Sequence, residues 1–506
     1  MMKRIFITKE SFEYSMNYCK SENNIKRTSI CGGSFTIFAQ GINYILRFGS
    51  TAILARILSP GDYGIVAMAT VITGFAILFS DGGLSWATVQ IEKISHNQVS
   101  NLFWLNTILG ILITIILIFT SPLMASFYNE LKVKWVACGL SINFIFSGIT
   151  IQHQALARRL LKFNHLAIND IFSTIVSIAS GIYMAKLGLG YWSLVGMTIF
   201  YSIAKMLGVW FIIPWIPSFP RKVSGTMRFI NFGADILVFN FVNYFSRHLD
   251  NILIGMYCGA NQLGFYEKAY NLLLFPINQI NAPLTSVVVP SLSRLVNDGK
   301  SYNSYFINVF HITTCLICPI VFFFAVFSDQ IVSIWLGNEW GPSSILFKYL
   351  SVAALLGAIS NPIGWLLISS GMTKKFRYIG LINSIIIISS FVMGIKNQAE
   401  GIAVAYSIGM VPVFIFSWIY STNKTSINLN DLIKPILVPL TSSVISIIIS
   451  YYCYLIVEKY LIALISFFVI ALIYFCLYLF IILFIFKRKE FFVNMINIAF
   501  KNGKFE

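Results

Sequence analysis

Charged side chains are scarce in this 506-residue chain, at 11% of residues against 57% hydrophobic, and the mean hydropathy is +0.78. Soluble globular chains carry about 25% charged residues, so a single water-soluble core is excluded. Acids are scarcer still, 19 Asp and Glu against 36 Lys and Arg, a net charge of +17. Such an excess can serve nucleic acid, but here the basic residues sit in short loops between apolar runs, so no nucleic-acid partner is expected. The eight cysteines are scattered. Cys315 and Cys318 form a C-x-x-C inside an apolar helix beside Pro319 and read as two small helix residues. No second pair completes a metal site, and no disulfide framework appears. A Walker A motif is absent, which excludes an ATPase of its own. There is no His-Glu zinc pattern and no Gly-x-Ser-x-Gly elbow, and His96, His153, His165, His248 and His311 do not cluster. No catalytic residue, metal or cofactor is expected. The longest external loop, about 328–344, holds Asp329 and Glu339 but no Lys, Arg or His, which leaves a membrane glycan polymerase or ligase little to work with.

What the chain does have is apolar runs of about 20 residues from end to end, the length that spans a bilayer. Fourteen spans are expected, at about 34–57, 63–80, 101–121, 133–152, 166–186, 191–213, 230–257, 264–289, 304–327, 345–369, 377–395, 400–420, 434–457 and 461–486. The expected fold is an all-α polytopic membrane protein. Residues 1–33 lack the apolar core of a signal peptide and read as a cytoplasmic arm. With that arm inside, about 25 of the 36 Lys and Arg fall in cytoplasmic segments and about five in the opposite loops. This bias places both termini in the cytoplasm. Pro214, Pro217 and Pro220 with Arg221, Lys222 and Arg228 mark 214–229 as a linker between lobes 34–213 and 230–420. Two further helices over 421–486 and a basic tail, 487–506, follow.

The lobes share a repeat. Residues 40–64, QGINYILRFGSTAILARILSPGDYG, align without a gap on 240–264, NFVNYFSRHLDNILIGMYCGANQLG. Asn43 matches Asn243, Tyr44 matches Tyr244, Arg47 matches Arg247 and Gly64 matches Gly264. Lys162-Phe163 and Lys375-Phe376, then Gly190 and Gly401, are weaker later matches. Six spans separate the copies, so both enter the membrane the same way, as two parallel six-helix repeats.

A charge at the bilayer centre costs about 2.5–3.5 kcal/mol on insertion scales and usually faces protein or a wet cavity. Gln40, Asn43 and Arg47 share one helix face, and so do Asn240, Asn243, Arg247 and Asp250. If both stripes face the centre, two cations converge on one cavity. Arg247 can instead pair with Asp250 one turn on. Arg47 has Ser50 there and no acid at i±3 or i±4, so its partner is a group elsewhere or an anionic ligand. The other embedded charges noted are Lys205, Asp235, Glu267 and Lys268. Pro276, Pro283 and Pro290, seven residues apart, read equally as hinge or packing.

Leu54-Ala55-Arg56-Ile57-Leu58-Ser59-Pro60-Gly61-Asp62-Tyr63-Gly64 resembles the loop after the first helix in Wzx-type oligosaccharide flippases of the polysaccharide transporter family. Asp81-Gly82-Gly83-Leu84-Ser85 resembles their Asp-x-Gly-Leu element. The layout is similar to the WzxC-like, colanic-acid branch over essentially the whole chain. The resemblance implies the multidrug/oligosaccharidyl-lipid/polysaccharide exporter fold, two lobes around a central cavity. It implies a flippase that moves an undecaprenyl-diphosphate-linked glycan across the bacterial inner membrane, with a polymerase and chain-length-control proteins as further partners. Arg47 and Arg247 would hold the diphosphate, beside Asn43, Asn243, Gln40 and Asn240. Asp81, Asp235, Asp250 and Glu267 are the candidates for ion coupling. Few further arginines lie in spans 1–2, which departs from lipid II flippases. A multidrug/cation antiporter of the same superfamily is the alternative, and a polymerase or ligase the second.

Overall fold

A backbone entering lipid must satisfy its peptide groups within its own segment, which an α-helix does. The structure, a computed structural model, describes residues 22–80, 85, 88–89, 94–220, 226–423, 425–458 and 462–486, with side chains excepted at 22–31, 34, 78, 226–243 and 245–247. Among the described residues there is no strand, and 11 helical stretches are long and apolar enough to cross a membrane. The protein is an all-α polytopic membrane protein. Two of those stretches, His248–Leu295 and Thr373–Thr422, are longer than one crossing needs, and the helix Glu22–Ala55 is not among the 11. The chain forms two compact units, Met1–Gly264 and Phe265–Glu506.

The first unit holds α1 (Glu22–Ala55), α2 (Pro60–Ser80), α3 (His96–Tyr128), α4 (Leu131–Arg159), α5 (Phe163–Lys186), α6 (Trp192–Ile212) and the first part of α7 (Thr226–Leu295). Small residues let these helices approach closely, the usual interface in lipid. A side chain at Gly110 would meet the Phe144 carbonyl, and one at Gly148 the Asn106 carbonyl, so α3 and α4 touch backbone to backbone. That contact brings Gln152 to Asn106 Oδ1 at 2.9 Å, and Thr88 to Gln152 Oε1 at 2.8 Å. The start of α2 is capped within the Ser59-Pro60-Gly61-Asp62 sequence. The Ser59 N–H donates to Asp62 Oδ2 at 3.0 Å and the Asp62 N–H to Ser59 Oγ at 3.3 Å, a reciprocal cap with Pro60 at the first helical position.

The break in α7 falls at Gly259, φ 82°, and not at Pro276, Pro283 or Pro290, which the helix accommodates. A positive φ of this kind is open to glycine at little cost. Just after the break the repeat shows itself in contacts. A Cβ on Gly64 would lie 1.7 Å from the Ala260 carbonyl oxygen, and one on Gly264 would lie 2.0 Å from that of Pro60. Residues 60 and 64 therefore meet 260 and 264 reciprocally, at the sequence offset of 200.

The second unit holds the rest of α7 and α8 (Gly299–Val326), α9 (Ser328–Trp335), α10 (Gly341–Ser360), α11 (Pro362–Ser369), α12 (Thr373–Gly394), α13 (Gln398–Thr422), α14 (Leu429–Val457) and α15 (Ala463–Phe480). Its core is built around Leu292, Phe306, Phe310, Trp365, Trp418 and Leu432. Prolines fix how α14 and α15 dock. Pro319 has no N–H, so the Cys315 carbonyl loses its helical donor; the Tyr478 hydroxyl donates to it at 2.8 Å. Pro439 likewise strands the Pro435 carbonyl, which accepts from Thr314 Oγ1 at 2.7 Å. His311 Nδ1 lies 3.2 Å from the same oxygen. Cys315 and Cys318 are buried free thiols within this packing.

Candidate functional site

Three helices of the first unit bring polar side chains to one place. A Cβ at Gly208 would fall 1.7 Å from Asn169 Oδ1, and Gly181 and Gly196 face Met197 and Met184, so α5 and α6 pack at close range. Asn169 Nδ2 donates to the Lys205 carbonyl at 3.1 Å and holds the two backbones in register. The next residue, Asp170, then faces Tyr201 and Lys205. Tyr201 donates to Asp170 Oδ1 at 2.5 Å. The Lys205 ammonium donates to the Tyr201 hydroxyl at 3.0 Å and lies 3.2 Å from Asp170 Oδ1. From α1, Asn43 Nδ2 donates to Asp170 Oδ2 at 2.8 Å.

Arg47, one turn beyond Asn43, completes the group. Its guanidinium carbon lies 5.6 Å from the centroid of the Tyr201 ring, and Lys205 Nζ lies 5.0 Å from the same centroid. Both are within the range of a cation–π contact. Arg47 is exposed and has no carboxylate within ion-pair distance among the described residues. Lys205 and Asp170 are about one-third exposed, 31% and 33%. The cluster thus contains two cations and one carboxylate, a net single positive charge, with Asp170 and Lys205 on helices long and apolar enough to cross a membrane and Arg47 on α1 beside them.

The sequence-derived residues divide as follows. Asn43 and Arg47 come together, Asn43 buried at 6% exposure with its Oδ1 unpartnered. Gln40 is exposed on the same helix. Asp250 is buried and accepts the Asn251 N–H at 2.8 Å. Glu267 accepts from Asn271 at 3.1 Å on its own helix, in the second unit. Asp81 lies outside the described residues, and so do the side chains of Asp235, Asn240, Asn243 and Arg247. The sequence pattern does not point to Asp170 or Tyr201, and it gives the embedded Lys205 no partner. The available signal was the pairing of two embedded charges of opposite sign, Asp170 and Lys205, in consecutive spans.

Fold and cluster define the class: a multi-pass membrane protein with a net cationic group where α1 meets α5 and α6. Superposition on a lipid II flippase in an inward closed conformation gives a TM-score of 0.72 at 17% identity over 89% of this chain and 98% of that one, which shows a shared fold. The polysaccharide biosynthesis protein family matches residues 53–345, and the chain belongs to that family. Its relatives include the teichuronic acid biosynthesis protein TuaB of Bacillus subtilis (strain 168), 26% identical over 70% of this chain and 74% of the relative. The lipopolysaccharide biosynthesis protein WzxC of Escherichia coli (strain K12) is 23% identical over 79% of this chain and 81% of that protein.

Proposed function

We propose that the protein is a flippase, and that it moves an undecaprenyl-diphosphate-linked oligosaccharide from the cytoplasmic to the periplasmic leaflet of a bacterial inner membrane by alternating access. The observation that carries the reading is the cationic cluster on α1, α5 and α6, in which Arg47 has no carboxylate within ion-pair distance among the described residues. A guanidinium beside membrane-crossing helices is costly unless water or an anion reaches it. A diphosphate suits it because Arg binds phosphate oxygens through two parallel N–H groups.

In this mechanism the headgroup enters a cavity open to the cytoplasm while the lipid tail stays in the bilayer. Arg47 takes the diphosphate, the glycan occupies the wet interior, and the lobes rock to release it outward. Arg247 would serve in the second repeat as Arg47 does in the first. No bond is made or broken in this mechanism, and a fold shared with a lipid II flippase agrees with a protein that is not an enzyme. A cation antiporter would need a binding region dominated by acids, whereas this cluster is net positive. Both termini lie in the cytoplasm, and a polymerase with its chain-length partner would receive the product.

Arg47→Ala should abolish or strongly reduce surface glycan in cells that depend on this chain, with the protein still inserted at normal level. Surface glycan at the normal amount from the Arg47→Ala, Arg247→Ala double variant would sink the assignment of both residues.

A further inference from the structure

The Asp170–Lys205 pair is arranged as more than a neutralised charge. A lysine ammonium has three N–H donors. Two are used, toward the Tyr201 hydroxyl at 3.0 Å and Asp170 Oδ1 at 3.2 Å, and no third acceptor lies within reach among the described residues. The carboxylate is held from other directions, by Asn43 on Oδ2 and Tyr201 on Oδ1. Asp170 is therefore the fixed member of the pair, and Lys205, on a four-carbon stem, the movable one. Arg47 and Lys205 both address the Tyr201 ring, at 5.6 and 5.0 Å, so the two cations lie no farther apart than the sum of those distances.

We propose that Lys205 is a second anion-binding group beside Arg47, and that Asp170 is the internal counter-ion to which Lys205 returns when the anion leaves. The proposal rests on the reading of Arg47 as the diphosphate group. A diphosphate carries more charge than a carboxylate and outcompetes Asp170 for the ammonium. On release, Asp170 recaptures Lys205, so the emptied site does not hold two bare cations in the membrane. Competition from Asp170 also keeps affinity low enough for the substrate to depart. Asp170 in this scheme is a positioning residue, and Lys205 a binding one.

The test uses the full chain in nanodiscs of uncharged phosphatidylcholine, with undecaprenyl diphosphate as the probe and thermal unfolding as the check on folding. Lys205→Met should weaken binding about tenfold, the size of one lost charge-assisted hydrogen bond. Lys205→Arg should restore most of it. Asp170→Asn should tighten binding several-fold and slow flipping in proteoliposomes, a split that a merely structural carboxylate would not produce. The Asp170→Asn, Lys205→Met double variant leaves no unpaired charge in the pair and should fold; its affinity should also fall below that of the unaltered protein.

Unchanged affinity in both Lys205→Met and the double variant would overturn the role of Lys205. The Arg47 reading would survive that result if Arg47→Met still weakened binding, and would fall with it if Arg47→Met did not. Weaker binding in a folded Asp170→Asn protein would overturn the exchange. Displacement of the probe by an equal mole fraction of phosphatidylglycerol would overturn the choice of a diphosphate over an ordinary anionic headgroup.

Discussion

Asn43 and Asp170 differ in what their loss exposes. Removing Asn43 deletes one donor to a carboxylate that keeps Tyr201 and Lys205. Hydrogen bonds between membrane helices average about 0.6 kcal/mol and reach about 1.7, so Asn43→Ala should cost on the order of 1 kcal/mol and leave a folded protein. Removing Asp170 leaves Lys205 and Arg47 as two cations with no carboxylate within ion-pair distance among the described residues. Breaking one partner of a buried pair costs about 3–5 kcal/mol, and the partial exposure here puts Asp170→Leu toward the lower end. Thermal unfolding in detergent should therefore rank Asp170→Leu well below Asn43→Ala; equal midpoints would mean that the carboxylate carries no structural charge balance. The sequence made the α1 stripe legible because 3- and 4-residue spacings fix a helix face. It did not reveal which neighbour that face meets. Asp170 sits two spans away from its partners' likeness in the repeat, and helix periodicity carries no information about lateral register between helices.

Glycines decide how the elements meet. At Gly208, valine would drive α5 from α6 against Asn169. Gly208→Val should then lower surface glycan through the loss of the Asp170–Lys205 geometry. At the corner where α2 meets the Gly259 break, Gly64→Ala and Gly264→Ala each put a methyl group against a backbone carbonyl that cannot rotate away. Each should part the corner, and the reciprocal contacts require the two phenotypes to match. Oxidative cross-linking of a Gly61→Cys, Asn261→Cys pair, with Cys258 changed to Ser, should proceed in the unaltered background and drop in either alanine variant. The offset-200 repeat was readable because polar identities inside apolar spans are few. The break was legible as the gap between the spans at 230–257 and 264–289; that it turns on Gly259 was not, since the role of that glycine depends on a positive φ. Between α9 and α10, Asp329 accepts from Ser344 at 2.5 Å and Lys348 at 3.1 Å. The Ser344 hydrogen bond, then Lys348, holds its carboxyl below the ordinary value despite an opposing effect of desolvation. A depressed carboxylate contributes stability above its unfolded pKa and loses it as pH falls through the folded one. Asp329→Asn should thus destabilise the protein at neutral pH, by less than about 1 kcal/mol for so exposed a pair, and flatten the acid side of its stability profile below about pH 4.

At the scale of the molecule, the distribution of charge predicts the direction of insertion. Each Lys or Arg close to an anionic cytoplasmic leaflet is worth roughly 1 kcal/mol, so the predicted distribution, about 25 basic residues on the cytoplasmic side against about five on the other, would outweigh any single loop. If the repeat is parallel, as proposed, an even number of crossings separates α1 from the first part of α7 and the two lobes reverse only together. Two turns on opposite predicted sides make the orientation testable. Gly371, at φ 71°, precedes α12 and its Lys374, Lys375 and Arg377; Gly337, at φ 102°, follows α9 in a segment without basic residues. A reporter that matures only outside the cytoplasm should be active when inserted after Gly337 and silent after Gly371. A reporter that needs the cytoplasm should give the reverse. The opposite pair of results would place Lys374, Lys375 and Arg377 in the periplasm, invert the entry side of the cluster around Arg47, and turn an exporter of lipid-linked glycan into a protein facing its substrate from the wrong leaflet.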